Sequence, residues 1–220
     1  MRVLGIDCGS RVTGYGVIDS DGADCVFVRC GAIRSKASDS MADRLKHIHD
    51  GIVEVIRDLQ PHAAAFESLF YASNASSALK LGHVRGVSIF AAAQANLSIY
   101  EYSPLEVKSA VTGYGRAEKP QVQQMVRALL KLEASPQPYD ASDALAVAIC
   151  HVHTNRFQKA LVVWKNRSAS RSPPRSRRKI KPFGRPLGSA ATPKPSAAMD
   201  AIVQPTIARS VLEMRRMPWL

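Results

Sequence analysis

Residues 2–19 read RVLGIDCGSRVTGYGVID. The run Arg2–Asp7 is short, apolar and ends on an acid. Gly9 and Ser10 interrupt it, and Thr13–Asp19 resumes a β-like pattern. Ser20-Asp21-Gly22 is a turn signal, and Cys25–Ile33 continues as a third strand. Three strands joined by tight turns predict an antiparallel meander. Cys25 and Cys30 lie an odd number apart on that third strand, so simple alternation sends their side chains to opposite faces.

Outward from the meander the pattern changes period. Met41, Leu45, Ile48, Ile52, Ile56 and Leu59 recur at steps of three and four, which predicts a helix starting near Ser40 and ending before Pro61. Ala63–Glu67 reads as a short buried strand. Residues 74–96 read as a long helix with Ala78, Gly82 and Gly86 on one line, 97–102 as a strand, and 104–111 as a short helix. A glycine-containing loop follows at 112–116. Residues 120–132 are amphipathic, with Pro120 suited to a first helical turn. Residues 141–152 are apolar almost all round, as in a buried helix. Five strands and intervening helices in this order predict a mixed sheet with helices on its faces, an α/β domain.

Charge divides the chain in two. The net charge is +12, yet residues 1–156 carry 16 Lys+Arg against 16 Asp+Glu. Residues 157–220 carry 14 Lys+Arg against only Asp200 and Glu213, together with eight of the thirteen prolines. A positive block of this kind attracts polyanions. It has too few large apolar side chains to offset the entropy of ordering. The expected organisation is a folded domain over 1–156 and a basic, largely disordered tail over 157–220, with a short helix near 201–217. The four cysteines, Cys8, Cys25, Cys30 and Cys150, include no C-x-x-C pair and no zinc-like spacing with histidine, so free thiols are expected. The pairs His47/His49 and His151/His153 are spaced i, i+2 on helices, which separates their faces. No uncharged apolar run approaches the roughly 20 residues that span a bilayer, and the N-terminus lacks signal-peptide features. A soluble, cytoplasmic protein without a membrane partner is expected.

Four carboxylates stand where an α/β sheet presents its ligands, at strand ends and helix starts. Asp7 ends the first strand and Glu67 ends the strand 63–67. Asp140 and Asp143, spaced i, i+3, share one face at the opening of the last helix. Taken singly, each has a plain alternative: a turn acid, a strand end, or a helix cap that complements the dipole. Taken together near an apolar core, clustered carboxylates repel one another and favour a hard cation such as Mg²⁺ or Mn²⁺.

The segments GIDCGSRVTGYGVI (5–18), FES-LF-ASNASSALKLGHVRGV (66–87), VK (107–108), TGYGRAEKPQVQQMV (112–126) and DASDALAVAI (140–149) resemble the RuvC crossover-junction endodeoxyribonucleases, in order and with close spacing. The resemblance covers nearly all of residues 1–155. It implies an RNase H-like (retroviral integrase superfamily) fold and a homodimer that nicks four-way (Holliday) junction DNA symmetrically. It also implies catalysis with two Mg²⁺ ions, replaceable by Mn²⁺, on Asp7, Glu67, Asp140 and Asp143. By the same resemblance Lys108 and Lys119 contact DNA backbone, Phe70 contacts unstacked bases, and the RuvA–RuvB branch-migration complex is a partner. Cys8 stands where the family usually has proline, and the tail has no counterpart in the resemblance. For the dimer, the small-residue line Ala78-Gly82-Gly86 could face a second subunit or the chain's own sheet; the resemblance implies the former.

Three rivals make distinct claims. Actin-like ATPases and sugar kinases also open on a strand followed by D-x-G-S, but they need a second such loop, which residues 100–150 lack. A YqgF-type nuclease shares the superfamily and acts on RNA; the ALKLGHVRG and AEKPQVQQMV segments favour the junction nuclease. A non-catalytic binder would retain the acids without using them.

Overall fold

The run Arg2–Asp7 forms strand β1, and its alternation decides what lies on each side of the sheet. The computed structural model describes residues 1–22, 24–68 and 75–169, the last thirteen of them by backbone alone. After β1 come β2 (Val12–Ser20), β3 (Cys25–Arg34), α1 (Met41–Leu59), β4 (Ala63–Glu67) and α2 (Ala75–Gln94). Then follow β5 (Ser98–Tyr102), α3 (Pro104–Thr112), α4 (Lys119–Leu129) and α5 (Tyr139–Ala169). Among the described residues the sheet has five strands in the order β3-β2-β1-β4-β5. β1, β2 and β3 pair antiparallel, whereas β4 runs parallel to both β1 and β5. The mixed α/β sheet expected from the sequence is therefore present.

Leu4, Ile6, Val17, Ala64 and Phe66 face α1 and α2. Val3, Ile18 and Ala65 face the opposite side, where α3, α4 and α5 pack. α1 starts where Ser40 caps it by accepting the Asp43 amide, and ends at Gln60, whose φ of 47° is left-handed. Its Ile48, Ile52, Ile56 and Leu59 are buried. Each such side chain contributes about 1.5–3 kcal/mol by leaving water.

β3 departs from simple alternation. Ile18 pairs with Phe27 but Val17 pairs with Arg29, so Val28 is an extra residue on β3. This β-bulge resets which face each later residue takes. Cys25, Phe27 and Cys30 consequently pack against the same core, on the α5 side, and the expectation that the two cysteines face apart is corrected. All four cysteines are free thiols.

α5 lies directly on the strands. A Cβ at Gly5 would overlap the Ala144 carbonyl oxygen, and one at Gly14 would overlap the Asp140 carbonyl oxygen. Glycine at these two positions lets backbone meet backbone, so helix placement is fixed without intervening side chains. α5 starts earlier than the expected buried helix and continues past residue 156 to Ala169. The rest of the tail, including the helix expected near 201–217, lies outside the described residues, as does Phe70. Among the described residues no helix is long and apolar enough to cross a membrane.

Candidate active site

Register brings the two strand-end acids together. Gly5 pairs with Ala65 and Ile6 with Phe66 across parallel β1 and β4. Asp7 and Glu67 are each two residues past the Gly5–Ala65 pair, so both point to the face that α5 covers. Asp7 also pairs with Gly14, whose missing side chain admits the first turn of α5. That turn carries Asp140, and Asp143 follows one helical step later. Three acids from three elements, Asp7, Glu67 and Asp143, line one cleft with Lys108 and Lys119 over a floor that includes Val107, Val122 and Val147. Asp140 stands outside that lining, close enough to Asp7 and Lys119 to act on both electrostatically.

Electrostatics show how crowded the negative charge is. Burial, followed by repulsion from Asp143, Glu67 and Asp140, pushes the Asp7 carboxyl up to about 7, against the attraction of Lys119. Burial and then Asp143 raise Glu67 as well, opposed by Lys119, Lys108 and Arg85. Lys119, at the start of α4, lies 3.2 Å from the Asp143 carboxylate, and this acid more than any other holds its ammonium protonated. Burial pushes the neighbouring Cys8 thiol up to about 12, so it is neutral at physiological pH.

Four carboxylates face two lysines here, and the surplus negative charge suits a hard divalent cation. The donors are all carboxylate oxygens, the preferred ligands of Mg²⁺ and Mn²⁺. Among the described residues no set of three or more His, Cys, Asp or Glu side chains already stands in the tight geometry of a metal centre. The acids thus fit a cation by chemistry and by convergence.

Three histidines, His49, His151 and His153, are engaged elsewhere. His49 lies 3.1 Å from both Asp50 and Gln94. Buried His151 bonds the Tyr102 hydroxyl at 2.8 Å, and His153 bonds the Ala110 carbonyl at 2.9 Å. One residue that sequence reasoning passed over bears on the site. Arg85, on α2, donates to the backbone carbonyl of Glu67. Its only sequence signal is a lone cation among the small and apolar residues HVRGVSIF.

The family model for crossover junction endodeoxyribonuclease RuvC matches residues 3–151. The chain is 57% identical over 153 residues to the protein of that name from Syntrophotalea carbinolica, covering 70% of this chain and 94% of that one. It is 54% identical over 159 residues to the one from Shewanella piezotolerans, covering 72% and 91% respectively. Thermus thermophilus RuvC, solved in complex with a Holliday junction substrate, superposes with a TM-score of 0.69 at 33% identity, covering 72% of this chain and 96% of that one. The arrangement of β1–β5 and its flanking helices is the RNase H-like fold of those relatives.

Proposed function

This chain belongs to the RuvC crossover junction endodeoxyribonuclease family, and from that premise we propose that it resolves Holliday junctions by metal-dependent hydrolysis at the cleft of Asp7, Glu67, Asp140 and Asp143. The observation that carries the reading is the meeting of two parallel strand ends with the first turn of α5, which puts Glu67, Asp140 and Asp143 within electrostatic reach of Asp7. The reaction hydrolyses a phosphodiester and leaves a 5′-phosphate and a 3′-hydroxyl, ends that can be ligated.

We assign two Mg²⁺ ions, or Mn²⁺ in their place, to these acids; when bound they would neutralise phosphate charge and lower the pKa of the attacking water. The chain's own groups do the rest. Asp7 and Glu67 sit on rigid strand ends, so they hold their ligand positions at low reorganisation cost. Lys108 and Lys119 flank the cleft and offer ammonium groups to the DNA phosphates. Lys119 can also exchange its Asp143 partner for a phosphate oxygen during turnover. Phe70, three residues past Glu67 in sequence, is assigned to stack on unpaired bases at the junction centre, where an aromatic ring accepts any base.

A homodimer through α2 supplies the second cut. Leu79 and Phe90 are 66% and 57% exposed. Positions 79, 82, 83, 86 and 90 fall on one stripe of the helix. Among the described residues nothing lies within 4 Å of a Cβ built at Gly82 or Gly86, while Val84, Ser88, Ala91 and Ala92 take the burial against this chain's own core. Packing of the small-residue line on its own sheet is therefore not the arrangement seen, and the stripe is available to a second copy. We further assign the protein to the cytoplasm, with the RuvA–RuvB branch-migration complex as partner, and assign residues 157–220 to a basic DNA-contacting tail.

The deciding experiment incubates the full chain with a labelled four-way junction, a matched linear duplex and a structured RNA, each with and without Mg²⁺. Symmetric nicking of the junction alone, only with metal, is expected. Cleavage of the RNA instead would move the reading to the RNA-acting branch, and junction binding without nicking would reduce the chain to a binder. Within an active enzyme, Lys119→Ala should slow cleavage more than it weakens junction binding. Equal loss of both would make Lys119 only a phosphate anchor.

A further inference from the structure

Arg85 is a charged group in a nearly closed place, with its side chain 12% exposed. A cation so enclosed is costly unless paired and hydrogen-bonded. Both needs are met by one guanidinium. One terminal nitrogen, Nη1, donates to the carbonyl oxygen of Glu67. The other, Nη2, pairs with the Glu101 carboxylate at 2.8 Å.

The direction of these contacts matters. Glu101 pairs in register with Phe66, and both face the α2 side of the sheet. Glu67 pairs with Tyr102 and turns its side chain to the opposite face, toward α5. Arg85 therefore reaches the end of β4 from behind and takes the backbone of the residue whose carboxylate enters the cleft in front. β4 pairs with β1 only as far as Phe66, so Glu67 is held by β5 on one flank and by Arg85 at its carbonyl.

We propose, resting on the nuclease reading above, that Arg85 is a positioning residue: it clamps the Glu67 peptide so that the Glu67 carboxylate is held where the cleft requires it. Arg85 does not touch the reacting atoms. A planar fork can serve the carbonyl and Glu101 at once, whereas the single ammonium of lysine serves one or shares itself poorly between them. Groups standing behind a metal ligand typically change metal affinity or activity by about 10–100-fold when removed.

The test compares Arg85→Ala, Arg85→Lys and Glu101→Gln in the full chain. Four quantities are read for each: thermal melting, junction affinity in EDTA, Mn²⁺ affinity from the free-ion electron paramagnetic resonance signal, and single-turnover cleavage at saturating Mn²⁺. Arg85→Ala should bind Mn²⁺ about 10–100-fold more weakly and cleave more slowly by a similar factor. Its junction affinity should stay within about threefold of wild type, because the DNA-facing lysines are untouched. Arg85→Lys should recover part of both losses, and Glu101→Gln, which removes the charge that holds the fork and so loosens the clamp, should weaken Mn²⁺ binding measurably but the least of the three. Folded Arg85 variants with wild-type Mn²⁺ affinity and cleavage would overturn the proposal. So would a cleavage loss matched only by a smaller folded fraction. If both Arg85 variants unfold, a Glu101→Gln protein with unchanged Mn²⁺ affinity overturns it. Glu67→Gln separates the two levels of inference. If that variant cleaves normally, the site assignment has failed; if it is dead while Arg85→Ala is active, only the clamp has failed.

Discussion

At the scale of single residues, Asp7 carries the clearest expectation. Its carboxyl is pushed up to about 7, first by burial and then by its three acidic neighbours. Between the ordinary carboxylate range and that value the folded chain holds a proton that the unfolded chain has released. Stability must therefore fall as pH rises through this window. In EDTA, melting temperature should drop from about pH 4 to about pH 7. Asp7→Asn should flatten that dependence and melt higher than wild type at the upper end, while losing cleavage and keeping junction binding. A flat wild-type profile, or cleavage by the variant within a few-fold of wild type, would remove Asp7 from its assigned role. Legibility at this scale was uneven for a physical reason. Asp140 and Asp143 announce themselves through an i, i+3 spacing on an apolar helix. Arg85 does not, because its acceptor is a backbone carbonyl 18 residues away, and every residue type carries that group.

At the scale of elements, the joint between α5 and the sheet sets the site. Gly14→Ala would force a methyl group against the Asp140 carbonyl, costing about 1–3 kcal/mol of overpacking. Cleavage should fall further than that stability loss explains, since the displaced turn carries Asp140. Urea unfolding and single-turnover cleavage measured together check this, and a Gly14→Ala enzyme with wild-type rate would show the joint to be slack. Gly86 should behave in the opposite way. A Cβ there meets nothing among the described residues, and replacing a helical glycine recovers up to about 1 kcal/mol of helix propensity. Gly86→Leu should thus leave the subunit folded while shifting sedimentation toward monomer and uncoupling the two nicks; an unchanged dimer would refute the α2 interface. Element ends were readable where chemistry is local, as with Ser40 and Pro61 around α1. The bulge at Val28 was not, because it arises from how β2 and β3 share hydrogen bonds and no residue type in CVFVRC demands it.

At the scale of the whole molecule, charge separates two tasks. Residues 1–169 carry 19 Lys+Arg against 16 Asp+Glu, whereas residues 170–220 hold 11 Lys+Arg against two acids. Because α5 runs unbroken to Ala169, a cut after that residue removes the basic segment without opening the helix. The shortened protein should resolve junctions in Mg²⁺ but bind every DNA form more weakly at low salt. If about five of the removed cations meet phosphates, the slope of log affinity against log salt becomes shallower by roughly four to five units. Unchanged affinity and slope would mark the tail as inert, and loss of junction selectivity would mean that it reads structure. The contact between α5 and the strand glycines also constrains how such a molecule can drift over generations. A lineage that acquires any side chain at position 5 or 14 lifts the helix that carries two of the four acids, and no nearby change at the acids themselves restores them. Selection is then expected to police these two positions as strictly as Asp7, although neither carries a functional group. The outward faces of the helices other than α2, and the tail, are left as the places where descendants can differ.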